Sequence, residues 1–378
     1  MVAVVASILL AGGGTAGHVN PLLAIAGEVR HRYPDASVRV LGTKEGLEAR
    51  LVPQAGFTLD FVPKVPLPRR PSSQWMSLPG NLRRAVQAAH DVMSDQKPDI
   101  VMGFGGYVST PAYLAARQLG IPVVIHEQNA RPGLANKLGA RFAAQVLVTF
   151  ESTQLPGAVP VGLPLRADLG ALAVASPQAL AHTRLEAAER FGLSPHVPTL
   201  LVTGGSLGAV SLNRAVSGAA KALLAAGAQV LHVTGKDKSQ AVIEQLDGID
   251  DKDRGRYVVV EYMDRMDLAY AASDLVMCRA GAGTVCELAA LGIPAVFVPL
   301  PIGNGEQRLN AQPLVHAGGA LLVADEDVSS DWVEASLPGL LRDAARLARM
   351  RDAAKSVGHP GATAHIVDRL ESLAGWRQ

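Results

Sequence analysis

Only two cysteines, Cys278 and Cys286, occur in the 378 residues, and both fall in one short segment. That is too few for a disulfide framework or a four-ligand zinc site, and it suits a reducing compartment. Charge of one sign is lacking as well: 35 Lys and Arg against 34 Asp and Glu leave a formal charge of +1. No global field favours nucleic acid, so any basic patch must be local. No stretch approaches the ~18 uninterrupted apolar residues of a membrane-spanning helix. The opening MVAVVASILLAGGG is apolar, has no basic segment ahead of it and runs straight into a glycine cluster. It reads as a first buried strand and not as a secretion signal. The pairs Asp251/Asp253 and Asp325/Asp327 sit in charged stretches, the second ahead of a helix cap at Ser329 or Ser330. They read as solvated loops. The histidines show no helix-spaced ligand pair, so no metal is expected.

What is present is punctuation. The chain carries 38 glycines and 24 prolines in a background that is 48% hydrophobic, which suits many short strand–turn–helix units. Apolar runs of strand length lie at 2–11, 37–41, 99–104, 122–126 and 145–149, then at 199–203, 229–234, 257–261, 275–278 and 295–299. Ala/Leu-rich helical stretches alternate with them, which implies an α/β fold of parallel sheets covered on both faces. The halves echo each other. VMGFGGYVSTPAYLAARQLGIPVVI (101–125) and VMCRAGAGTVCELAALGIPAVFV (276–298) share strand, glycine loop, helix and LGIP, and LLAGGGTAG is echoed by LVTGGSLGA. Two Rossmann-like, doubly wound domains facing across a cleft are expected, with ligands beyond the carboxyl ends of the strands. The Pro/Gly-rich PGAVPVGLPLRADLG marks the divide, giving domains at 1–163 and 164–343. The helices of 344–378 are expected to pack back towards the first domain.

Several loops carry residue types suited to chemistry. GGSLGAVSLNRAV (204–216) follows an apolar strand and opens a helix, where free amides and the helix dipole favour an anion; Ser206 adds a hydroxyl. No Lys-Ser/Thr follows, so it is not a P-loop. The first loop, GGGTAGH, fits a dinucleotide fingerprint loosely, and the acid expected at the end of the second strand is missing from VRVLGTKEG, which disfavours NAD. RAGAGTVCELAALGIP puts Glu287 one helical turn beyond Gly283. A carboxylate there could accept both hydroxyls of a ribose while the amides of Ala282 to Val285 approach a diphosphate or base. Gln307 and Asn310 lie one turn apart and could hold sugar hydroxyls. HEQNARPGLANK (126–137) clusters polar residues just past a buried strand. KVPLPRRPSSQWMSLPGNLRRAV mixes Arg69, Arg70, Arg83 and Arg84 with Trp75, Met76 and Leu78. That mixture suits an anionic membrane surface or an ordinary amphipathic helix.

Taken in order, GGGTAGHVNPLLAIA, GFGGYVSTPAYLAA, HEQNARPGLANK, GLPLR, GGSLGA, RAGAGTVCELAALGIPAVFVPLP and EQRLNAQPL span nearly the whole chain. Together they closely resemble the MurG family, inverting family 28 glycosyltransferases of GT-B architecture. The resemblance implies transfer of N-acetylglucosamine from UDP-GlcNAc to the C4 hydroxyl of undecaprenyl-diphosphoryl-MurNAc-pentapeptide (lipid I), giving lipid II and UDP. UDP-GlcNAc is a substrate; no cofactor is implied and no metal is required. By the same likeness, Ser206 and Arg166 would meet the diphosphate and Met263 would lie near the uracil. Ala282, Gly283, Thr284, Val285 and Glu287 would wrap diphosphate and ribose, and Gln307 would reach the sugar. Thr15, Ala16, Gly17 and Asn129 would line the donor sugar from the first domain. Attack by a sugar hydroxyl needs a base, and imidazole titrates near neutrality. His18 is therefore the candidate base, with Glu127 its competitor. A lipid acceptor makes the segment around Arg69, Arg70, Trp75, Met76, Leu78, Arg83 and Arg84 a docking surface for the cytoplasmic face of the cell membrane. The protein is then peripheral, its partners being UDP-GlcNAc, lipid I and that membrane surface, without nucleic acid and without indication of a protein partner. Ala16 stands where a second glycine is usual in the family, and Leu207 where glutamine is common. A UDP-GlcNAc 2-epimerase on the same paired fold is the rival reading.

Overall fold

The structure is a computed structural model that describes residues 6–65, 74–205, 207–302 and 304–376, with the backbone alone for 74–77. The chain divides into two compact units, Met1–Ala167 with Gly361–Gln378, and Asp168–Pro360.

In the first unit the strands are β1 (Ser7–Ala11), β2 (Ser37–Gly42), β3 (Thr58–Phe61), β4 (Ile100–Gly103), β5 (Val123–Glu127), β6 (Gln145–Val148) and β7 (Ala158–Pro160). They form one sheet in the order β3-β2-β1-β4-β5-β6-β7, parallel throughout. The second unit holds β8 (Thr199–Thr203), β9 (Gln229–Val233), β10 (Tyr257–Val260), β11 (Leu275–Cys278), β12 (Ala295–Phe297) and β13 (Ala320–Leu322). Their order, β10-β9-β8-β11-β12-β13, is again parallel. Each sheet reverses its winding beside its first strand, so the glycine loops after β1 and β8 both emerge at a switch point, where ligands of such sheets bind.

The wholly buried SILLA of β1 shows why periodicity is faint in these strands. Ile8 and Leu10 face one core with Leu22, Ile25 and Val29 of the helix Ala16–Arg32, while Leu9 and Ala11 face the other with Ala112 and Tyr113. Each large side chain so buried contributes about 1.5–3 kcal/mol. All ten anticipated strands form; the first is described from Ser7, its residues 2–5 lying outside the described part. β3, β7 and β13 were not anticipated. They are edge strands of three or four residues with few buried positions, TLDF, AVP and ALL, and their pairing partner supplies what their sequence does not. Among the described residues no helix is long and apolar enough to cross a membrane.

The two helices of the C-terminal stretch part company. Ala344–Ser356 stays with the second unit, where Leu347 and Met350 join its core. Ala362–Ala374 belongs to the first: Ile366, Val367 and Leu370 are buried in the core under the helix Ala16–Arg32. The divide therefore falls after 167 and 360 and not after 163 and 343. Arg32 reaches Asp368 at 2.6 Å and Glu371 at 3.0 Å. Trp376 meets Tyr33 edge-on at 5.8 Å and donates from its indole nitrogen to Asp99 at 2.9 Å; the same Asp99 oxygen accepts the Ser7 amide at the start of β1. Trp376→Ala is expected to destabilise the first unit by about 3–5 kcal/mol, as for other buried aromatics, seen as an early transition in denaturant unfolding. Trp376→Phe, which keeps a ring and loses the bond to Asp99, should cost about 1–2 kcal/mol.

Candidate active site

In the first unit β1 hands the chain through Gly12–Gly14 to the helix Ala16–Arg32, which carries His18 in its first turn. The Nδ1 atom of His18 lies 3.0 Å from the Gly13 carbonyl oxygen and 3.3 Å from the Thr15 hydroxyl. A carbonyl only accepts, so in the neutral ring Nδ1 carries the proton and Nε2 keeps its lone pair. That Nε2 sits beside Gly105, where an added Cβ would come within 3.3 Å of it; a Cβ on Gly106 would come within 2.6 Å of the Gly13 carbonyl oxygen. Both glycines also hold a positive φ, +93° and +83°. The pair in GFGGY is thus dictated twice, by conformation and by the room that the His18 ring and its carbonyl take.

The same loop holds a residue that sequence reasoning missed. Glu48, at the start of the helix Glu48–Gln54, is wholly buried. One carboxylate oxygen accepts the Gly14 amide at 2.8 Å; the other accepts the Thr43 amide at 2.9 Å and the Thr43 hydroxyl at 2.8 Å. Burial alone would push this carboxyl up, but the amides of Gly14, Thr43 and Glu48 itself, with the Thr43 hydroxyl, outweigh it and hold it below the usual carboxylate range. Gly13, Gly42 and Gly46 are glycine because the Glu48 side chain packs where a Cβ would stand. The acid not found at the end of the second strand therefore exists six residues past Gly42, spent on the glycine loop and not on a ribose.

Around β5 the HEQN segment is self-bonded. Glu127 is buried, and its carboxylate accepts the Asn129 amide at 3.0 Å, the Gly133 amide at 3.0 Å and the Asn136 side-chain amide at 2.9 Å. Buried Tyr113 donates to the Asn136 oxygen at 2.8 Å. His126 donates from Nε2 to the Gly162 carbonyl at 2.9 Å and accepts from Gln128 at Nδ1, 3.1 Å away; burial pushes its imidazole down to about 4. Asn129 is half-buried at the head of this loop, and half-buried Arg166 follows GLPL near the end of the first unit.

In the second unit the turn after β8 runs through Gly204 and Gly205 to Gly208, then into the helix Val210–Gly218; Ser206 lies outside the described residues. The Gly205 amide donates to the Thr203 hydroxyl and the Gly208 amide to the Gly205 carbonyl, both neutral partners. Behind it stands a buried chain: Tyr257 donates to His232 Nδ1 at 2.8 Å, His232 Nε2 donates to Asn213 at 3.1 Å, and Asn213 donates to the Thr234 carbonyl at 3.0 Å. Burial pushes the His232 imidazole down to about 3, so it bonds as a neutral ring. Gly208 packs on that same Thr234 carbonyl.

The helix Ala282–Leu291 begins with buried Ala282, half-buried Gly283 and Thr284, and buried Val285. Glu287, half-buried, accepts from the Tyr270 hydroxyl at 2.8 Å, an orienting partner that the sequence did not reveal. Met263 is buried just past β10. The Gln307 side-chain oxygen accepts the amides of Ala280 at 3.2 Å and Leu300 at 3.0 Å, so a sugar hydroxyl would meet its NH2 group. Asn310, expected beside it on the sugar, is wholly buried and donates to the Ala280 carbonyl. Asp325, expected in a solvated loop, pairs with Arg279 at 2.6 Å and accepts from Ser211 at 2.6 Å, while Arg279 also donates to the Val298 and Pro299 carbonyls. One guanidinium thus fixes the ends of β11 and β12 together. No group of three or more metal-ligating side chains gathers among the described residues.

Of the docking residues, Arg83 and Arg84 are exposed and Leu78 half-buried on the helix Gln74–Gln96, whose inner face carries buried Ala85, Ala89 and Met93. Arg69 and Arg70 lie outside the described residues, as do the side chains of Trp75 and Met76.

Residues 8–148 match the glycosyltransferase family 28 N-terminal domain, and residues 199–366 match the glycosyltransferase family 28 C-terminal domain. A Nocardioides protein named UDP-N-acetylglucosamine–N-acetylmuramyl-(pentapeptide) pyrophosphoryl-undecaprenol N-acetylglucosamine transferase is 55% identical over 353 residues, 93% of each chain. The crystal structure of Acinetobacter baumannii MurG superposes with a TM-score of 0.76 at 30% identity, covering 97% of this chain and 99% of that one. The UDP-GlcNAc 2-epimerase of Neisseria meningitidis has a TM-score of 0.69 at 17% identity over 97% of this chain and 100% of its own, which is a likeness of fold alone. With both domain matches in order and a near-full-length relative sharing more than half its residues, the chain belongs to glycosyltransferase family 28.

Proposed function

We propose that this glycosyltransferase moves N-acetylglucosamine from UDP-GlcNAc to the C4 hydroxyl of lipid I, giving lipid II and UDP with inversion at the anomeric carbon. The observation that carries the reading is the state of His18: Nδ1 is committed to the Gly13 carbonyl, so a neutral ring presents its lone pair at Nε2. Nε2 takes the proton of the C4 hydroxyl as that oxygen bonds to the anomeric carbon. The bond from that carbon to the UDP oxygen breaks on the opposite side, and its electron pair leaves with the diphosphate. His18 is favoured over Glu127 because both carboxylate oxygens of Glu127 already accept donors of their own loop.

A difference in charge supports the second unit as the nucleotide side. At the first glycine loop a buried carboxylate already takes the Gly14 amide. At the second the partners of the Gly205 and Gly208 amides are neutral and the Lys238 ammonium donates to the Leu207 carbonyl at 2.9 Å, so the helix N-terminus can receive the diphosphate, with Ser206 and Arg166 adding donors. Glu287, oriented by Tyr270, accepts the ribose hydroxyls; Met263 lies near the uracil, and Gln307 donates to the sugar. Thr15, Ala16, Gly17 and Asn129 serve the donor sugar. The basic segment through Arg83 and Arg84 rests on the cytoplasmic face of the membrane, where the lipid acceptor resides.

The test is UDP release by the purified protein with and without a short-chain lipid I analogue, EDTA present. Acceptor-dependent release is expected, with kcat falling roughly 10²–10⁴-fold in His18→Ala while UDP binding holds. UDP release without acceptor, or an epimerised sugar nucleotide, overturns the transferase reading. Glu287→Ala should raise KM for UDP-GlcNAc roughly 10- to 100-fold, the loss of charge-assisted bonds to a ribose, with a smaller effect on kcat. Arg83→Glu with Arg84→Glu should weaken co-sedimentation with anionic vesicles at least roughly tenfold, without changing turnover of a detergent-dispersed acceptor. Equal binding to zwitterionic vesicles would remove the electrostatic docking surface.

A further inference from the structure

The link between Glu48 and His18 is a single peptide group. Its N–H, on Gly14, donates to the Glu48 carboxylate at 2.8 Å, and its C=O, on Gly13, accepts from His18 Nδ1 at 3.0 Å. Carboxylate, peptide and imidazole therefore form one hydrogen-bonded line. We propose that Glu48 is a positioning residue for the transfer reaction, acting on His18 through the Gly13–Gly14 peptide as the carboxylate of a catalytic dyad acts through a direct bond. This rests on the reading of His18 as the base.

The physics is that of a polarised chain. A carboxylate drawing on the amide end of a peptide increases the negative charge on its carbonyl oxygen, and bonds in such a series strengthen one another. The stronger acceptor at Nδ1 holds the proton there and makes Nε2 a better base, as carboxylate partners of histidine do elsewhere. A direct carboxylate bond is not open to His18, since Nδ1 already points at the Gly13 carbonyl. The surroundings keep the line in place. Gly106 packs on that carbonyl, Gly105 on Nε2, and Gly13 and Gly46 on the Glu48 carboxylate. Thr43 supplies two further donors that fix the Glu48 rotamer. A wholly buried carboxylate is costly to retain for packing alone. Among the described residues, the titratable groups that line the hollow formed by Gly13, Gly14, Thr43 and Glu48 are Glu45 from the loop after β2, Lys64 from the segment after β3 and Tyr107 from the loop after β4. The Lys64 ammonium lies 5.4 Å from the Tyr107 ring.

The experiment uses the full chain, with UDP-GlcNAc and a short-chain lipid I analogue, in wild type, Glu48→Gln, His18→Ala and the double variant. Histidine labelled with 15N reports the His18 tautomer and titration, identified by the resonance lost in His18→Ala. Wild type should show a neutral ring protonated on Nδ1. In Glu48→Gln the His18 titration and the acid limb of the kcat profile should both move to lower pH. Its kcat should fall roughly 10- to 100-fold, the usual effect of removing a partner one step behind a functional histidine, with KM for UDP-GlcNAc held. In the His18→Ala background, Glu48→Gln should add less than about twofold, since the two act as a unit. Losses that multiply, or a His18 titration unmoved in Glu48→Gln, overturn the link while leaving His18 as base. A His18→Ala enzyme with undiminished kcat overturns the base assignment instead. Should Glu48→Gln not fold, the wild type still decides: a neutral His18 protonated on Nε2 breaks the line at Gly13 and ends the proposal.

Discussion

Parallel strands end in amides that have nowhere to go. Where a strand gives way to a helix, the first turn leaves its N–H groups without internal acceptors, and two parallel sheets repeat that situation at most of their carboxyl ends. How each turn is satisfied decides what it can do. After β1 the answer is a carboxylate from the chain itself, Glu48 on Gly14; after β5 it is Glu127 on Asn129 and Gly133. After β8 the internal partners are a threonine hydroxyl and a carbonyl. The glycine turns after β1 and β8 have thus solved the same backbone problem differently, one with an internal anion and one with neutral groups, although an anion returns in the second unit after β9, where Glu261 accepts the Asp237 and Ser239 amides.

That contrast sorts the chemistry. A turn already holding a negative charge is a poor place for a diphosphate, which would meet that charge at close range. A turn holding none keeps its dipole for the ligand. The buried histidines follow the same logic in reverse. His126 and His232 are held neutral by burial and bond as fixed struts, one to the Gly162 carbonyl and one between Tyr257 and Asn213. His18, half-buried in the first turn of its helix, is the histidine with a ring nitrogen beside a glycine pair kept clear of side chains.

The sequence carried ten strands, β10 at a sheet edge among them, and the glycine turns because these are local: an apolar run, a glycine, a helix start. It did not carry the edge strands β3, β7 and β13, since three or four residues such as AVP acquire strand geometry from the neighbour they pair with. The candidate site was legible where motif and residue chemistry coincide in one segment, as in GGGTAGH, HEQN and AGTVCE. It was not legible where the partner is remote. Glu48 lies 34 positions from Gly14, Tyr270 lies 17 from Glu287, and Asp325 lies 46 from Arg279. In each case a polar residue that looks surface-bound in its own segment is captured by the fold. Asn310 erred the other way: helical spacing put it beside Gln307, and burial against Ala280 took it out of reach.

The first unit is closed by residues that follow the second unit in the chain. Trp376, Asp368 and Glu371 grip β1 and its helix, yet the whole second unit, Asp168–Pro360, is translated between them. At about 5–20 residues per second that interval is roughly 10–40 s. Through it the nascent first sheet must wait with the seat for Ile366 and Leu370 uncovered. The second unit, continuous in sequence, is under no such delay, and it can finish folding on the ribosome before the unit that began first. Order of synthesis and order of completion are thereby inverted, and the exposed apolar seat is a surface that chaperones would be called on to shield in the meantime.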